Sequence, residues 1–352
     1  MEYGSEFHWG ANAPYLREAD TGFVQPDWRL MRSGRDALKA LAKLAGRARV
    51  LMPALCCESM LVPFRLAGYE IVLYRLTEEL RADEADVSEK LRDGDLLLTM
   101  PYFGIRPFRD AFLEGLRESG RGILLAEDRT QDILVPRTEG FVPDVTLASL
   151  RKWAAMPEGG MLCTALRAET GTPEPRFAAL RTEAMEKKDR YLTSWEPALK
   201  QDFLAELHTA EALLDEGAEP HGMDAANEAF LRRLDFAAIY DARVRNLRRL
   251  SALLAPLERE GRLRFLTREP EKSGLYLPLL LADRDAVQKA MAARDIYCPV
   301  IWPEPPEAAF CCPVSRYVVG HILCLPCDQR YDEADMSFIA ETLREILGGK
   351  AV

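Results

Sequence analysis

The sequence predicts an α/β protein built on a mainly parallel sheet, followed by a smaller α+β C-terminal part. Three observations predict it. Short apolar runs alternate with amphipathic stretches from residue 32 to about residue 165, the pattern of βαβ units in a buried parallel sheet. A long helical pattern rich in Arg, Leu and Ala covers residues 225–254, and in large enzymes such a helix bridges two domains. The remaining C-terminal stretch mixes strand and helix patterns. A chain of 352 residues exceeds one ordinary small core and fits a large domain with a smaller companion.

The first part yields strands at residues 50–53, 70–74, 95–100, 122–126, 145–148 and 160–164. Each is an apolar run too short for a helix and bounded by Gly, Pro or charged residues. Helical periodicity covers residues 36–45, 59–67 and 109–118. Residues 173–217 are charged and weakly periodic, and read as exposed helices or an active-site flap. The tail reads as a strand at 274–281, a helix at 285–294, an apolar stretch at 296–303, a strand at 322–325 and a closing helix at 333–346. There is no internal repeat and no low-complexity tract.

Composition narrows the function classes. An apolar fraction of 48% is that of a globular protein. A net charge of −10 and a pI near 5.2 argue against nucleic acid and anionic membranes as partners. No apolar run approaches the roughly eighteen residues of a membrane span, and the start Met1-Glu2-Tyr3-Gly4-Ser5-Glu6 is unlike a signal peptide. Most of the eight cysteines lie in apolar runs, as Cys163, Cys298 and Cys324 do. Buried reduced thiols in a cytoplasmic protein are therefore expected. Cys324-Leu325-Pro326-Cys327 has the C-x-x-C form but no second pair at metal-binding spacing, so it reads as structural. The four histidines, at 8, 208, 221 and 321, form no metal-ligand spacing. His8-Trp9-Gly10 is placed where it could reach a site as a flap. Trp302 fits a packed domain aromatic and a substrate contact equally well.

Chemistry concentrates in two segments. Ser149-Leu150-Arg151-Lys152 leads into Glu158-Gly159-Gly160, and upstream the apolar run Leu124-Leu125-Ala126 ends in Glu127-Asp128. Both segments end predicted strands, and ligands in α/β sheets collect at the carboxyl ends of strands. A lysine able to form a Schiff base, with an acid at the end of a neighbouring strand, is the minimum equipment for pyridoxal 5'-phosphate (PLP) chemistry. A third segment, Ser33-Gly34-Arg35-Asp36-Ala37-Leu38, opens an amphipathic helix. Free backbone N–H groups and the positive dipole end suit a phosphate there, although Ser-Gly also makes a plain N-cap.

Together these segments resemble the DegT/DnrJ/EryC1/StrS family, the sugar-nucleotide aminotransferases of PLP fold type I. Ser33-Gly34-Arg35-Asp36-Ala37-Leu38 is similar to that family's Ser-Gly-Thr-x-Ala-Leu helix start. Pro53 and Gly68 keep its spacing from a post-strand proline to the next strand. Tyr102-Phe103-Gly104 resembles its Leu-Tyr-Gly loop, and Glu127-Asp128-Arg129-Thr130-Gln131 its Glu-Asp-x-x-Gln. Lys152 to Glu158-Gly159-Gly160 keeps its lysine-to-Glu-Gly-Gly interval. Arg243-Val244-Arg245-Asn246 and Leu323-Cys324-Leu325-Pro326 resemble two later segments. The resemblance implies a seven-stranded, mainly parallel sheet in a PLP-binding large domain over residues 1–240, with a small α+β domain over 241–352. It implies that Lys152 carries the cofactor as a Schiff base and shuttles a proton, and that Asp128 pairs with the pyridinium nitrogen. Gln131 would contact the 3'-oxygen side of the cofactor. Ser149, with Ser33 and the N–H groups of Gly34 and Arg35, would bind its phosphate. It further implies a homodimer with the active site at the interface.

Three positions depart from the family pattern. Cys57 stands where an aromatic residue usually stacks on the cofactor ring; Tyr102 and Phe103 are the other candidates to cover it. Ser149 and Lys152 are closer together than usual, and Pro220-His221-Gly222-Met223 lacks the arginine of the family's Asn-x-Arg-Met. The expected activity is PLP-dependent transamination from an amino-acid donor to a small-molecule carbonyl acceptor, with a sugar nucleotide as one candidate. Its rivals are a non-transaminating PLP lyase or decarboxylase, and a PLP-fold protein that has lost turnover and acts by binding. Cys57 and Gly222 motivate the last, and the joint presence of Lys152 and Asp128 argues against it.

Overall fold

The computed structural model describes residues 2–137, 139–267, 273–302 and 312–348. Pro303, the end of the apolar stretch at 296–303, and one of the eight cysteines lie outside them.

Seven strands form the main sheet: β1 (Trp28–Met31), β2 (Arg49–Pro53), β3 (Glu70–Tyr74), β4 (Leu96–Thr99), β5 (Leu124–Asp128), β6 (Val145–Ser149) and β7 (Gly160–Thr164). Their order is β1-β7-β6-β5-β4-β2-β3. The block from β6 to β3 is parallel, and β7 is antiparallel to both β6 and β1. β1 therefore points the same way as β6, and both end on the same edge. β2, β4 and β5 are buried at every position. This is why they read as continuous apolar runs: helices cover both faces of a parallel sheet.

α1 (Gly34–Ala45) follows β1 and packs on β6 and β7. Ser33 caps it by accepting from Asp36 N, and Gly46 ends it in the left-handed region at φ 55°. α2 (Glu58–Leu66), α3 (Glu84–Lys90) and α4 (Asp110–Glu118) connect the following strands.

Beneath the start of α1 lies a buried ion pair. Arg32 donates from Nε to Asp36 Oδ2 at 2.9 Å and from Nη2 to Oδ1 at 3.0 Å. Ser33 Oγ and the His221 N–H complete the shell of Asp36 at 2.6 and 3.1 Å.

Residues 173–217 form two helices, α5 (Pro175–Ser194) and α6 (Pro197–Leu213), which pack along each other. Phe177 with Ala210, Leu213 and Leu214, and Tyr191 with Phe203 and Leu207, make their shared apolar seam. The helical pattern over 225–254 is divided, contrary to the sequence reading. α7 (Ala225–Arg232) ends and α8 (Phe236–Arg259) begins anew. The N-terminal segment causes the break. Arg17 N and Thr21 N take the carbonyls of Arg233 and Arg232, and Leu16 pairs with Leu234. Asp235 then caps Ala238 N. Local periodicity cannot register partners so distant in sequence.

The smaller unit holds a three-stranded sheet, β10-β9-β8, made from β8 (Arg264–Phe265), β9 (Leu277–Leu280) and β10 (Ile322–Leu325). It is antiparallel throughout. α9 (Arg284–Ala292), α10 (Pro313–His321) and α11 (Glu333–Gly348) complete it. The expected boundary at residue 240 falls inside α8. Phe236 and Ile239 pack with Trp153 of the large unit, whereas Leu247, Leu250, Leu254 and Leu257 pack with the small sheet and α11. No helix among the described residues is long and apolar enough to cross a membrane.

Asp36→Ala leaves the Arg32 guanidinium buried with only a 3.4 Å contact to Glu174. Breaking such a pair costs about 3–5 kcal/mol. Urea denaturation should show a loss of that size, and a loss near zero would mean that the pair is dispensable.

Candidate active site

The carboxyl ends of β5 and β6 and the amino end of α1 face a cavity of about 290 Å³. Its walls include Gly34, Arg35, Cys57, Asp128, Gln131, Ser149 and Lys152. Ser33 is the one expected site residue outside them. Its hydroxyl donates to Asp36 Oδ2 and accepts from Asp36 N, so it serves the helix cap.

Close packing shapes the end of the cavity next to the start of α1. A Cβ on Gly34 would stand 2.9 Å from Ser149 Cβ, and one on Gly160 would strike the Ser33 carbonyl. The glycines thus let α1, the end of β6 and the Glu158-Gly159-Gly160 turn approach one another. Gly159 N donates to Arg32 O at 2.9 Å and Leu150 N donates to Gly159 O at 2.7 Å.

Lys152 ends a 3₁₀ turn over Leu150–Lys152 and is exposed toward the cavity. The chain around it is held from several sides. Trp153 Nε1 donates to Thr130 O at 2.9 Å, and Thr130 Oγ1 accepts from Ser149 N at 2.9 Å. Buried Arg243 of α8 donates to the carbonyl of Trp153 at 3.0 Å, and Gln329 donates to the same oxygen at 2.9 Å.

Asp128 is buried, and its Oδ1 accepts from Thr130 N at 2.9 Å. Burial raises its pKa; hydrogen bonds from Thr130 and the charge of Lys152 oppose the rise. A carboxylate in that position gains from a cationic N–H partner. Gln131 lines the cavity, but its Oε1 is committed to the Phe103 N–H at 3.0 Å, with Nε2 near Met100 Sδ at 3.7 Å. Cys57 Sγ lies 3.0 Å from Ser59 Oγ. Of the aromatic residues weighed for the ring, Tyr102 is fully buried with its hydroxyl on Leu55 O, and Phe103 faces a neighbouring cavity. Trp302 supplies an aromatic side chain in this wall, meeting Tyr102 edge-on at 6.4 Å. His8 is bonded to Asp189 of α5 at 2.6 Å and is not part of the wall.

The cavity fits the phosphate, pyridine and aldehyde groups of PLP by its own features. A glycine-lined approach at a helix start, a buried acid and an exposed lysine share one wall. Sequence reasoning did not single out Thr130, Arg151 or Glu211 as site residues. The hydrogen bonds of Thr130 and the approach of Glu211 from α6 join segments distant in sequence, so no local spacing announces them.

No family model and no curated relative matches the chain. Solved structures do match. A DegT DnrJ EryC1 StrS aminotransferase from Brucella abortus is 16% identical, with a TM-score of 0.64 over 96% of this chain and 93% of that one. The aminotransferase TlmJ from Streptoalloteichus hindustanus is 18% identical, with a TM-score of 0.66 over the same shares, 96% and 93%. NtdA from Bacillus subtilis, solved with bound cofactor PMP, is 13% identical, with a TM-score of 0.63 over 92% of this chain and 73% of that one. The chain thus has the fold of the DegT/DnrJ/EryC1/StrS aminotransferases, PLP fold type I.

Glu158 offers a check on the turn behind Lys152. Its Oε2 accepts from Asp224 N at 2.9 Å and from Asn227 at 3.2 Å, while Oε1 is buried without a partner among the described residues. Burial raises its pKa from 4.5 to about 7. The folded chain therefore keeps a proton that the unfolded chain releases between these values. This contribution is full below the window and is lost as pH rises through it. Glu158→Gln removes the titration. Its stability relative to the parent should rise from pH 5 to pH 8 by on the order of 2 kcal/mol. Urea denaturation at both pH values measures this, and a constant difference would contradict the assignment.

Proposed function

We propose that the chain is a PLP-dependent aminotransferase that moves an amino group from an amino-acid donor to a small-molecule carbonyl acceptor. The observation that carries this reading is the meeting of Lys152, Asp128 and the Gly34–Ser149 approach in one cavity at the carboxyl edge of the sheet. When bound, PLP supplies an electron sink that makes a proton on the amine-bearing carbon acidic.

Each residue then has a task. Lys152 Nζ would hold the cofactor and, when its amine is free, would carry the proton to and from the substrate carbon. Asp128 keeps a proton on the pyridine nitrogen, and burial strengthens that pairing. The N–H groups of Gly34 and Arg35 and the Ser149 hydroxyl bind the phosphate. Cys57 and Trp302 line the same cavity and would be the side chains available to contact the cofactor ring, the Cys57 sulfur as a polarizable group. Arg243 and Gln329 hold the backbone after Lys152, which limits the wandering of its side chain.

The reading includes a homodimer whose two copies complete each other's sites, and a sugar nucleotide among the acceptors. Among the described residues no cysteine is joined in a disulfide, and the reading includes a cytoplasmic location, where thiols stay reduced. Accumulation of pyridoxamine phosphate on mixing with an amino donor distinguishes transamination from lyase or decarboxylase chemistry and from mere binding.

The purified protein with PLP should absorb in the visible and lose that band on borohydride reduction. Lys152→Ala should lack the band yet keep the melting transition, because the side chain is exposed. Trapping of the cofactor on another lysine would refute the assignment.

Asp128→Asn should retain PLP but slow proton transfer in the donor half-reaction by two or more orders of magnitude, at about tenfold per ~1.4 kcal/mol. Stopped-flow absorbance reads the rate, and an unchanged rate would remove Asp128 from the role.

A further inference from the structure

Glu211 of α6 enters the wall of the same cavity, and three guanidinium groups converge on its carboxylate. Arg151 donates to Oε1 at 2.8 Å, Arg181 to Oε1 at 3.1 Å and Arg35 to Oε2 at 3.0 Å. These arginines come from the turn after β6, from α5 and from α1. Burial alone would raise the Glu211 pKa, but the charges of Arg151, Arg181 and Arg35 bring it down to about 2. The carboxylate is thus held as an anion at any working pH.

The cluster is richer in donors than Glu211 can satisfy. Arg151 Nε and Arg181 Nε are buried without a hydrogen-bond partner among the described residues. Burial and the adjacent Arg151 charge lower the Arg181 pKa to about 10, the direction expected of a cation short of compensation. Asp215 also meets Arg35, at 3.1 Å, from a half-exposed position on the rim. The Phe177 ring lies under Arg151 and Arg181 at 5.2 and 5.9 Å from its centroid, which fixes the guanidinium planes. Guanidinium forks pair with phosphate as they do with carboxylate, and three of them offer more donors than one carboxylate takes up.

We infer that Arg35, Arg151 and Arg181 form an anion-binding site which Glu211 fills from within the chain, and that a phosphate monoester entering the cavity competes with Glu211 for these guanidinium groups. The inference deepens the aminotransferase reading and rests on it for one source of that phosphate, the cofactor; a phosphorylated substrate is the other. Arg35 and Arg151 line the cavity together with Gly34 and Ser149. An arriving phosphate therefore meets these arginines beside the helix start that would cradle it. The internal carboxylate then weakens phosphate affinity, and α6 is the element that yields when a phosphate binds.

The test uses the full chain without cofactor and three ligands, PLP, pyridoxal and inorganic phosphate, titrated by calorimetry. Glu211→Gln should bind PLP and inorganic phosphate about tenfold more tightly, and pyridoxal unchanged, because a charged competitor has been removed. Glu211→Asp, which keeps the charge, should stay within about twofold of the parent. The inference is overturned if Glu211→Gln leaves phosphate and PLP affinity unchanged or weaker while melting cooperatively. It is equally overturned if pyridoxal tightens as much as PLP, or if Glu211→Asp behaves as Glu211→Gln does. Should Glu211→Gln fail to fold, Arg181→Gln decides. A loss of about fivefold or more in phosphate affinity supports the site, and no change refutes it.

The source of the phosphate is read by reducing PLP onto Lys152 and titrating inorganic phosphate again. Lost phosphate binding assigns the site to the cofactor, and retained, Glu211-dependent binding assigns it to a substrate phosphate. A chain that binds phosphate in this Glu211-dependent way but never binds PLP would sink the aminotransferase reading and leave the anion site standing.

Discussion

The geometry of the cavity depends on one buried ion pair, Arg32 with Asp36. A buried pair adds little net stability over apolar packing, but it tolerates few arrangements, because each charge must meet its partner and its hydrogen bonds together. Here the Asp36 carboxylate takes Arg32, Ser33 and the His221 N–H. The Arg32 backbone takes His221 O on one side and gives its carbonyl to Gly159 N on the other. Four pieces of chain are thereby locked in one place: the end of β1, the start of α1, the 220–223 segment and the Glu158-Gly159-Gly160 turn. That lock brings Gly34 against Ser149 and sets the start of α1 in the wall of the cavity.

Electrostatics divide the cavity into two ends. One holds Asp128, an acid that burial leaves in want of a cation. The other holds the arginines around Glu211, of which Arg151 and Arg181 keep a buried Nε without a hydrogen-bond partner among the described residues. In the proposed reading, a zwitterionic ligand with a cationic ring nitrogen and a remote phosphate would meet a charge of opposite sign at each end. The polarity is set by the framework, since Asp128 ends β5 while Arg35 starts α1. The charged groups are therefore in place before any ligand arrives, and the reorganisation left to an arriving anion is the release of the arginines by Glu211.

The strands from β2 to β7 were legible because continuous apolar runs report burial on both faces. β1 was not, since Trp28-Arg29-Leu30-Met31 is a short edge strand with an arginine inside it, held by β7 and by the residues around Gly222. The lysine, the acid and the glycine turn stood out because PLP chemistry would use those residue types near strand ends, and Lys152 and Asp128 do line one cavity. Two further features differ from the sequence reading for physical reasons. Ser33 is among the expected cofactor contacts, and its hydroxyl is engaged with Asp36 in the cap that the same motif encodes. The break between α7 and α8 is made by backbone groups of residues 16–21, which no window around residue 233 contains. The pairing of Arg151 with Glu211 joins residues sixty apart in sequence, and α6 betrays nothing of it in its own pattern.

The shortened interval from Ser149 to Lys152 follows from the local backbone. Residues 150–152 form a 3₁₀ turn, and in that geometry side chains three apart lie on one face. Ser149 and Lys152 therefore both face the cavity, as its lining shows. Arg151, between them, also lines the cavity and reaches Glu211 and the Phe177 ring. A longer connection would need extra chain between β6 and the lysine, and Trp153 leaves little room for it. That side chain is fully buried, with its indole N–H on Thr130 and the Arg243 guanidinium over its ring at 5.1 Å. The compact spacing is thus what lets one turn offer the lysine and the serine to a ligand while its intervening arginine ties the turn to α6.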